Sequence, residues 1–277
     1  MSDHSIVWVN GELVSEKEVR ASPFDLGLTV GLGAFETMSA YSGKPFLYDQ
    51  HDERLRKSAA VLSLTVPDSS LLRQAVTGVI IANGLSHQRA RVRITITAGK
   101  VPLSGAAVPS AQLVLVTAVA QPEPKAMAKL VDVDYQIDER SPLAGVKSAS
   151  YAANVLAYRD AITKGADEAV IYNHQSELAE CSMSNIFLVK GGKVFTPQLS
   201  SGCLAGVTRS AVIRLCQQNN ISITECKLVK ADLEGADEVF ITSSARGVQP
   251  VQILDVDMES VVTREIQSLY VEMIASY

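Results

Sequence analysis

Hydrophobic and polar positions alternate along this chain with two periods, one of strands and one of helices. The segment SIVWVNGELV carries two short apolar runs around Asn10-Gly11, a pair that favours the tight turn of a β-hairpin. In RVRITITAG the alternation has period two, which predicts a strand with Arg91 and Arg93 on one face. The run AQLVLVTAV is apolar throughout and predicts a more fully buried strand.

Helical spacing follows the first hairpin. From His51 onward, Leu55, Ala59 and Leu62 recur at intervals that place them on one side of a helix. The segment SSLLRQAVTGVIIANG shows the same spacing and stops at Gly84, a residue suited to a helix end. These patterns predict two helices between the hairpin and the RVRITITAG strand.

The proline-rich segment AQPEPKA, residues 120–126, is the best candidate for a linker. After it we expect strands at KLVDVDYQ, DEAVIYN, ISITECKLV and EVFIT, and a second hairpin, SNIFLVKGGKVFTP, that turns at Gly191-Gly192. Helices are expected over 150–164, from about Val207, over 231–236 and towards Ala275. The pattern predicts an α+β protein with a small N-terminal domain over 1–119 and a larger domain over 127–277.

Composition narrows the class of protein. The chain has 277 residues, 47% of them hydrophobic and 20% charged, which predicts a sizeable core. The formal net charge is −5 and no basic stripe is present, so nucleic-acid binding is not expected. No apolar run is long enough to span a membrane and no signal peptide is recognisable, so we expect a cytoplasmic protein. Four cysteines without CxxC spacing favour reduced thiols over a metal site.

Several residues could carry chemistry. Lys147 stands among small residues in SPLAGVKSASYAANVLAYRDA, as if a ligand comes close to it. Glu180 follows an apolar strand, where a carboxylate is either partly buried with a partner or simply at the surface. Arg54 lies on an amphipathic helix and could bind a phosphate through two N–H groups, or be an exposed charge.

Two further segments could bind an anion. Gly206 and Thr208 stand at a predicted helix start, whose N–H groups attract phosphate, although Thr208 could equally be an N-cap. ITSSARGVQP places hydroxyl groups after a strand, where ligand loops often occur. The glycine stretch GLTVGLGAFE does not fit a dinucleotide fingerprint, because the third glycine position falls on Glu36. We expect these glycines to let another segment approach the backbone closely.

In order along the chain, GLGAFET, HDERLRKSA, VRITITAG, VKSASYAANVLAYRDAITKGADEAVIYN, ELAECSMSNIFLVKGGKVFTPQLSSGCLAGVTRSAVIRL and ADEVFITSSARGVQPV form a set. This set resembles the class IV aminotransferases, the fold-type IV pyridoxal-phosphate enzymes. That family includes branched-chain and D-amino-acid transaminases and aminodeoxychorismate lyase. The resemblance implies a two-domain fold and pyridoxal 5'-phosphate as the cofactor. It also implies a homodimer in which a loop of the neighbouring small domain completes the site.

The resemblance also implies roles for individual residues. Lys147 matches the lysine that forms the Schiff base with the cofactor, and Glu180 matches the glutamate bonded to the pyridine nitrogen, which keeps the ring an electron sink. Tyr151 matches the tyrosine near the ring hydroxyl. The remaining matches concern the phosphate, which Arg54, the N–H groups of Val207 and Thr208, and the hydroxyl of Ser244 would bind.

The reaction is less constrained than the cofactor. Thr37 matches a threonine associated with aminodeoxychorismate lyase, but the loop AGKVPLSGAAVP lacks the arginine expected to hold the lyase substrate. Arg93 lies where branched-chain enzymes carry an arginine near the substrate carboxylate, Arg91 shares its face, and Arg246 is a further candidate. We therefore predict an aminotransferase acting on small amino and keto acids. The lyase is the alternative, and a non-catalytic cofactor-binding protein is a third interpretation.

Overall fold

A computed structural model describes residues 5–100, 111–252 and 260–277 of the chain. These residues form two units: the described part of Met1–Pro122 together with Val146–Tyr151, and the described part of Glu123–Gly145 and Ala152–Tyr277. The sequence-based division had assigned the short segment Val146–Tyr151 to the second domain. It belongs to the first unit because its backbone bonds to a strand there, from Phe35 N to Lys147 O (3.1 Å) and from Ala149 N to Gly33 O (2.7 Å).

The first unit is one antiparallel sheet with helices. Its elements are β1 (Ile6–Val9), β2 (Glu12–Ser15), α1 (Leu26–Thr29), β3 (Gly33–Tyr41), β4 (Lys44–Pro45), α2 (Tyr48–Val61), α3 (Ser69–Ala82), β5 (Ala90–Thr97) and β6 (Val114–Ala120). The strand order is β2-β1-β6-β5-β3-β4. Asn10 and Gly11 both have positive φ at the first turn, which confirms the predicted hairpin.

The two faces of this sheet differ in chemistry. The face under α2 and α3 is apolar and holds the core of the unit, which includes Met38, Ile94 and Val116. Successive residues of a strand point to opposite faces, so Phe35 and Thr37 lie on the other face. The register pairs Phe35 with Thr95 and Thr37 with Arg93, and it brings Arg91 to the same side. The second face is therefore polar and positively charged.

The second unit is built on a mixed eight-stranded sheet of order β12-β11-β10-β13-β14-β7-β8-β9. Its elements are β7 (Ala128–Ile137), α4 (Ala152–Thr163), β8 (Glu168–Asn173), β9 (Leu178–Cys181), β10 (Asn185–Lys190), β11 (Lys193–Pro197), α5 (Val207–Gln218), β12 (Ile223–Cys226), α6 (Lys230–Glu234), β13 (Glu238–Ser243), β14 (Gly247–Gln252) and α7 (Val261–Ala275). Helix α4 packs on β7 and β8, and α5 and α7 pack on each other and on β13.

The α+β class is confirmed, and so are the second hairpin and the four predicted helices of this unit. Strands β3, β9 and β14 were not predicted. The close approach expected at the glycines is confirmed. A Cβ on Gly33 would lie 2.7 Å from the Ile96 carbonyl oxygen, and one on Gly31 would lie 2.8 Å from Ser150 Oγ. Among the described helices, none has the length and apolar character needed to cross a membrane.

Candidate active site

The residues predicted to act in the site fall into two groups, one in each unit. The first unit contains Lys147, Tyr151, Thr37, Arg54, Arg91 and Arg93. The second unit contains Glu180, Val207, Thr208, Ser244 and Arg246. Among the described residues, no cluster of His, Cys, Asp or Glu side chains is placed to hold a metal ion.

Lys147 is held at both its backbone and its side chain. Its N–H donates to Ser58 Oγ of α2 (3.1 Å), and its carbonyl accepts the bond from Phe35 of β3. Its amine nitrogen lies 4.4 Å from the centre of the Phe35 ring and 5.6 Å from that of Tyr151. The two rings meet edge to face at 5.2 Å. The lysine amine is thus directed by two aromatic rings to the polar face of the first sheet.

Arg93 contacts the same phenylalanine. Its guanidinium carbon lies 3.8 Å from the centre of the Phe35 ring, and its Nε donates to Thr95 Oγ1 (3.1 Å). Partial desolvation of the guanidinium lowers the pKa of Arg93, and the like charge of Arg91 lowers it further. Two neighbouring cations on one face favour a negatively charged ligand. The Phe35 ring therefore joins the predicted Schiff-base lysine to a site suited to a carboxylate.

Arg54 lies on the covered side of the same sheet, in a buried ionic cluster. Its Nε and Nη2 donate to the two oxygens of Glu36 (2.7 and 2.8 Å), and His51 Nδ1 lies 2.7 Å from Glu36 Oε2. Burial alone raises the pKa of Glu36, but the Arg54 charge and hydrogen bonds from Arg54 and His51 outweigh it and hold that pKa well below its usual range. Burial lowers the pKa of His51, against the opposing effect of Glu36.

In the second unit, Glu180 is oriented by its neighbours on the sheet. Its Oε2 accepts from the backbone N–H of Leu204 (2.9 Å) and lies 3.4 Å from Asn185 Nδ2. The same amide nitrogen of Asn185 donates to the Leu204 carbonyl oxygen at 2.8 Å. Two donors that stabilise the charged form of a carboxylate favour a glutamate that stays ionised, as a partner of a protonated ring nitrogen must be.

Helix α5 begins at Val207 beside this cluster. Its N-cap is Gly206, so no side chain caps the helix, and both Val207 and Thr208 of the first turn are buried. A Cβ on Gly206 would lie 2.0 Å from Asn185 Oδ1, which shows how closely the helix start approaches that amide. Uncapped N–H groups at a helix N-terminus suit an anionic group.

The turn between β13 and β14 carries Ser244 and Arg246. Arg246 Nε lies 3.3 Å from the buried Glu168, Nη1 donates to Gln249 Oε1 (2.9 Å) and Nη2 donates to the Asp167 carbonyl oxygen (3.2 Å). Burial raises the pKa of Glu168, and the charge of Arg246 opposes that rise. The predicted role of Arg246 in substrate binding stays a prediction, since all three nitrogens of its guanidinium are engaged within the protein.

Sequence reasoning missed Phe35, Glu36, His51 and Asn185 as parts of the site. Phe35 and Glu36 lie within the glycine stretch, where attention to the glycines concealed the strand alternation. His51 precedes Arg54 by three residues on a helix, a spacing that places both on one face and could have paired them. The loop that counted against the lyase continues from Lys100 into residues 101–110, which lie outside the described part of the chain.

Comparisons with known proteins follow the same lines. Residues 33–254 match the family described as amino-transferase class IV. The aminodeoxychorismate lyase of Bacillus subtilis is 30% identical over 88% of this chain and 85% of its own length. The branched-chain aminotransferase of Thermoproteus uzoniensis, solved with norvaline, superposes with a TM-score of 0.91 at 27% identity, covering 99% of this chain and 95% of that one. A branched-chain amino acid aminotransferase of T.th., solved with pyridoxamine 5'-phosphate, gives 0.86 at 26% identity and covers 97% and 93% of the two chains.

Proposed function

Because the chain belongs to the class IV aminotransferases, which are pyridoxal-phosphate enzymes, we propose that it transfers an amino group between an amino acid or amine and a 2-oxo acid, with Lys147 as the catalytic amine. The observation that carries the proposal is the shared contact of Lys147 and Arg93 with the Phe35 ring. It brings the amine and a cation to the same aromatic surface. An amino acid or a keto acid needs both, since it reacts at Cα beside its carboxylate.

The residues present fit the cofactor. The uncapped start of α5 offers N–H groups to a phosphate, and Glu180 is a half-buried carboxylate fixed by two donors. Thr242 of β13 pairs with Asn185 of β10, so its side chain lies on the same sheet face as that amide. Its hydroxyl is buried with no hydrogen-bond partner within the described residues. A buried polar atom of this kind is rare without a ligand or water.

When bound, pyridoxal phosphate supplies an aldehyde for the substrate amine and a ring that accepts the electron pair left at Cα. The protein's residues then do the rest. Lys147 removes the proton from Cα and returns one on the other side of the exchange, because its amine is the base held at the aromatic surface. Glu180 keeps the ring nitrogen protonated, and Arg93 binds the substrate carboxylate with Arg91 beside it.

The alternative is elimination of pyruvate from aminodeoxychorismate. Two observations favour keeping it: the 30% identity with the Bacillus subtilis lyase, and the place of Thr37, whose backbone pairs with Arg93 on the polar face. A hydroxyl at that point is able to move a proton on the substrate. The aminotransferase remains the lead because Arg91 and Arg93 suit the carboxylates of an amino donor and a keto acceptor.

One experiment tests the function. The purified protein, loaded with pyridoxal phosphate, is offered L-leucine, D-alanine, an (R)-amine and aminodeoxychorismate in turn, with 2-oxoglutarate or pyruvate as the acceptor. We expect amino transfer to the keto acid, and borohydride should fix the cofactor on Lys147. The matched control is Lys147→Arg, which keeps the charge at the Phe35 ring but cannot condense with the aldehyde. Transfer by that variant at the wild-type rate, or 4-aminobenzoate release without transfer, contradicts the proposal.

A homodimer and a cytoplasmic location also belong to the proposal. Sedimentation of the loaded protein checks the dimer, whose formation is common among soluble enzymes. A mass equal to that of one chain would contradict it.

A further inference from the structure

A fully buried carboxylate stands in the apolar face of the first sheet. Glu36 of β3 is 0% exposed, and the residues two positions away on the same face, Ala34 and Met38, are equally buried and apolar. A charged side chain at a core position costs several kcal/mol in desolvation unless its partners compensate. Its presence therefore needs a reason beyond packing.

The partners of Glu36 come from one face of α2. Arg54 donates through both Nε and Nη2 in a two-bond fork, and His51, three residues earlier, is placed against Glu36 Oε2. The N–H of Thr37 lies 3.3 Å from the same oxygen. His51 is 2% exposed and Arg54 12%. The carboxylate thus gathers four donor groups, and three of them belong to side chains of α2 that are largely shielded from solvent.

The fork has a geometric consequence. Two parallel bonds from one carboxylate fix the plane of a guanidinium, which a single bond does not do. They engage the Nε–Nη2 edge of Arg54, so the rest of the guanidinium is directed away from Glu36. The His51 contact in turn fixes the rotation of the Glu36 carboxylate itself.

We infer that Glu36 is a positioning residue for the phosphate of the cofactor: it holds the Arg54 guanidinium in the plane that receives a phosphate monoester, and His51 holds Glu36. This inference rests on the proposed function. It assigns Glu36 no contact with the substrate or with the cofactor ring.

The chain contains a matched pair that separates this role from ordinary stabilisation. Asp52 and Arg56 lie on the same helix and form the same fork, with Nε 2.9 Å and Nη2 3.2 Å from the carboxylate oxygens. Arg56 Nη2 also donates to the Pro67 carbonyl oxygen (2.7 Å), and the arginine side chain is 39% exposed. That pair joins α2 to the loop before α3 and is not part of the site.

The test uses Glu36→Asp, which keeps the charge and withdraws the carboxylate by one methylene group. The control is Asp52→Glu, which changes the length at the matched fork by the same unit. Both variants are titrated with pyridoxal phosphate and with pyridoxal, which lacks the phosphate, and binding is followed by absorbance. The measured quantity is the ratio of the two dissociation constants, because a general defect in folding weakens both ligands alike.

We expect Glu36→Asp to weaken pyridoxal phosphate about tenfold, the scale of one lost hydrogen bond to a charged group, and to change pyridoxal less than about twofold. Asp52→Glu should leave the ratio at its wild-type value. A wild-type ratio in Glu36→Asp, or equal weakening of both ligands, overturns the inference alone. A wild-type protein that binds neither aldehyde overturns the proposed function and this inference together.

A second pair of variants covers the case in which Glu36→Asp does not fold. His51→Asn keeps a donor near the position of Nδ1, whereas His51→Leu removes it. The inference expects a smaller shift of the ratio in the same direction for His51→Leu and none for His51→Asn. Equal ratios in both variants and the wild type would refute the role of His51 and, with it, the positioning of Arg54 through Glu36.

Discussion

Gly206, the N-cap of α5, is the position where the structure makes the sharpest energetic prediction. Its φ of −63° and ψ of 135° are open to any residue, so alanine would meet no backbone strain there. The obstacle is steric, since the new Cβ would lie 2.0 Å from Asn185 Oδ1 and 3.1 Å from Arg209 Cβ. Real Cβ atoms essentially never approach another heavy atom within 3.0 Å, so the Asn185 amide has to move in Gly206→Ala.

The cost follows from what Asn185 then loses. Its Nδ2 bond to the Leu204 carbonyl oxygen, 2.8 Å long, is worth about 1 kcal/mol, and the longer contact with Glu180 weakens as well. Overpacking adds about 1–3 kcal/mol. Alanine restricts the unfolded chain and returns about 0.4–1 kcal/mol. The net prediction is a loss of about 1–3 kcal/mol in the free energy of unfolding.

Urea denaturation followed by circular dichroism measures that loss. The matched control is Gly78→Ala in α3, where the nearest atom to the new Cβ is Leu13 Cδ1 at 3.6 Å, and alanine should stabilise by about 0.5–1 kcal/mol. A double-mutant cycle with Asn185→Ala, which removes Oδ1, should abolish most of the Gly206→Ala cost. An unchanged stability in Gly206→Ala, or the same cost in both backgrounds, would refute the steric reasoning.

Two further predictions concern titration and the turn after β13. The lowered pKa of His51, which faces Glu36, Arg54 and Lys147, means that below its ordinary value near pH 6.5 the unfolded chain binds a proton before the folded chain does. Stability should therefore fall between about pH 6.5 and 5 by up to about 1.4 kcal/mol per pH unit, and urea titrations of His51→Asn should show a shallower fall; identical slopes would count against it. Arg246→Lys should cost about 2 kcal/mol of stability through the lost contacts with Glu168 and Gln249. A raised KM for the keto acid at unchanged stability would show instead that Arg246 binds substrate.

Local patterns predicted the elements that local chemistry determines. The Asn10-Gly11 pair and the Gly191-Gly192 pair each form the turn of a hairpin, because positive φ at both positions is what such a turn needs. The α2 and α3 helices follow the apolar spacing on which they were predicted. Strand β3 was missed because its pattern of burial is almost continuous, so no alternation marks it.

The contacts of the candidate site depend on pairings that local patterns do not contain. Lys147 meets Phe35 because its segment bonds to β3, far earlier in the chain. Glu36 meets Arg54 because α2 covers one face of that strand. The resemblance to a family suggested residue types for these positions, but no spacing in the sequence reveals which neighbours surround them.

The return of Val146–Tyr151 to the first unit has a consequence for dissecting the protein. The backbone passes from one unit to the other three times, after Pro122, after Gly145 and after Tyr151. Severing any one peptide bond therefore never yields two complete halves. A fragment ending at Pro122 would lack the residues that bond to Gly33 and Phe35, and the lysine would remain with a fragment that holds none of its aromatic neighbours from β3.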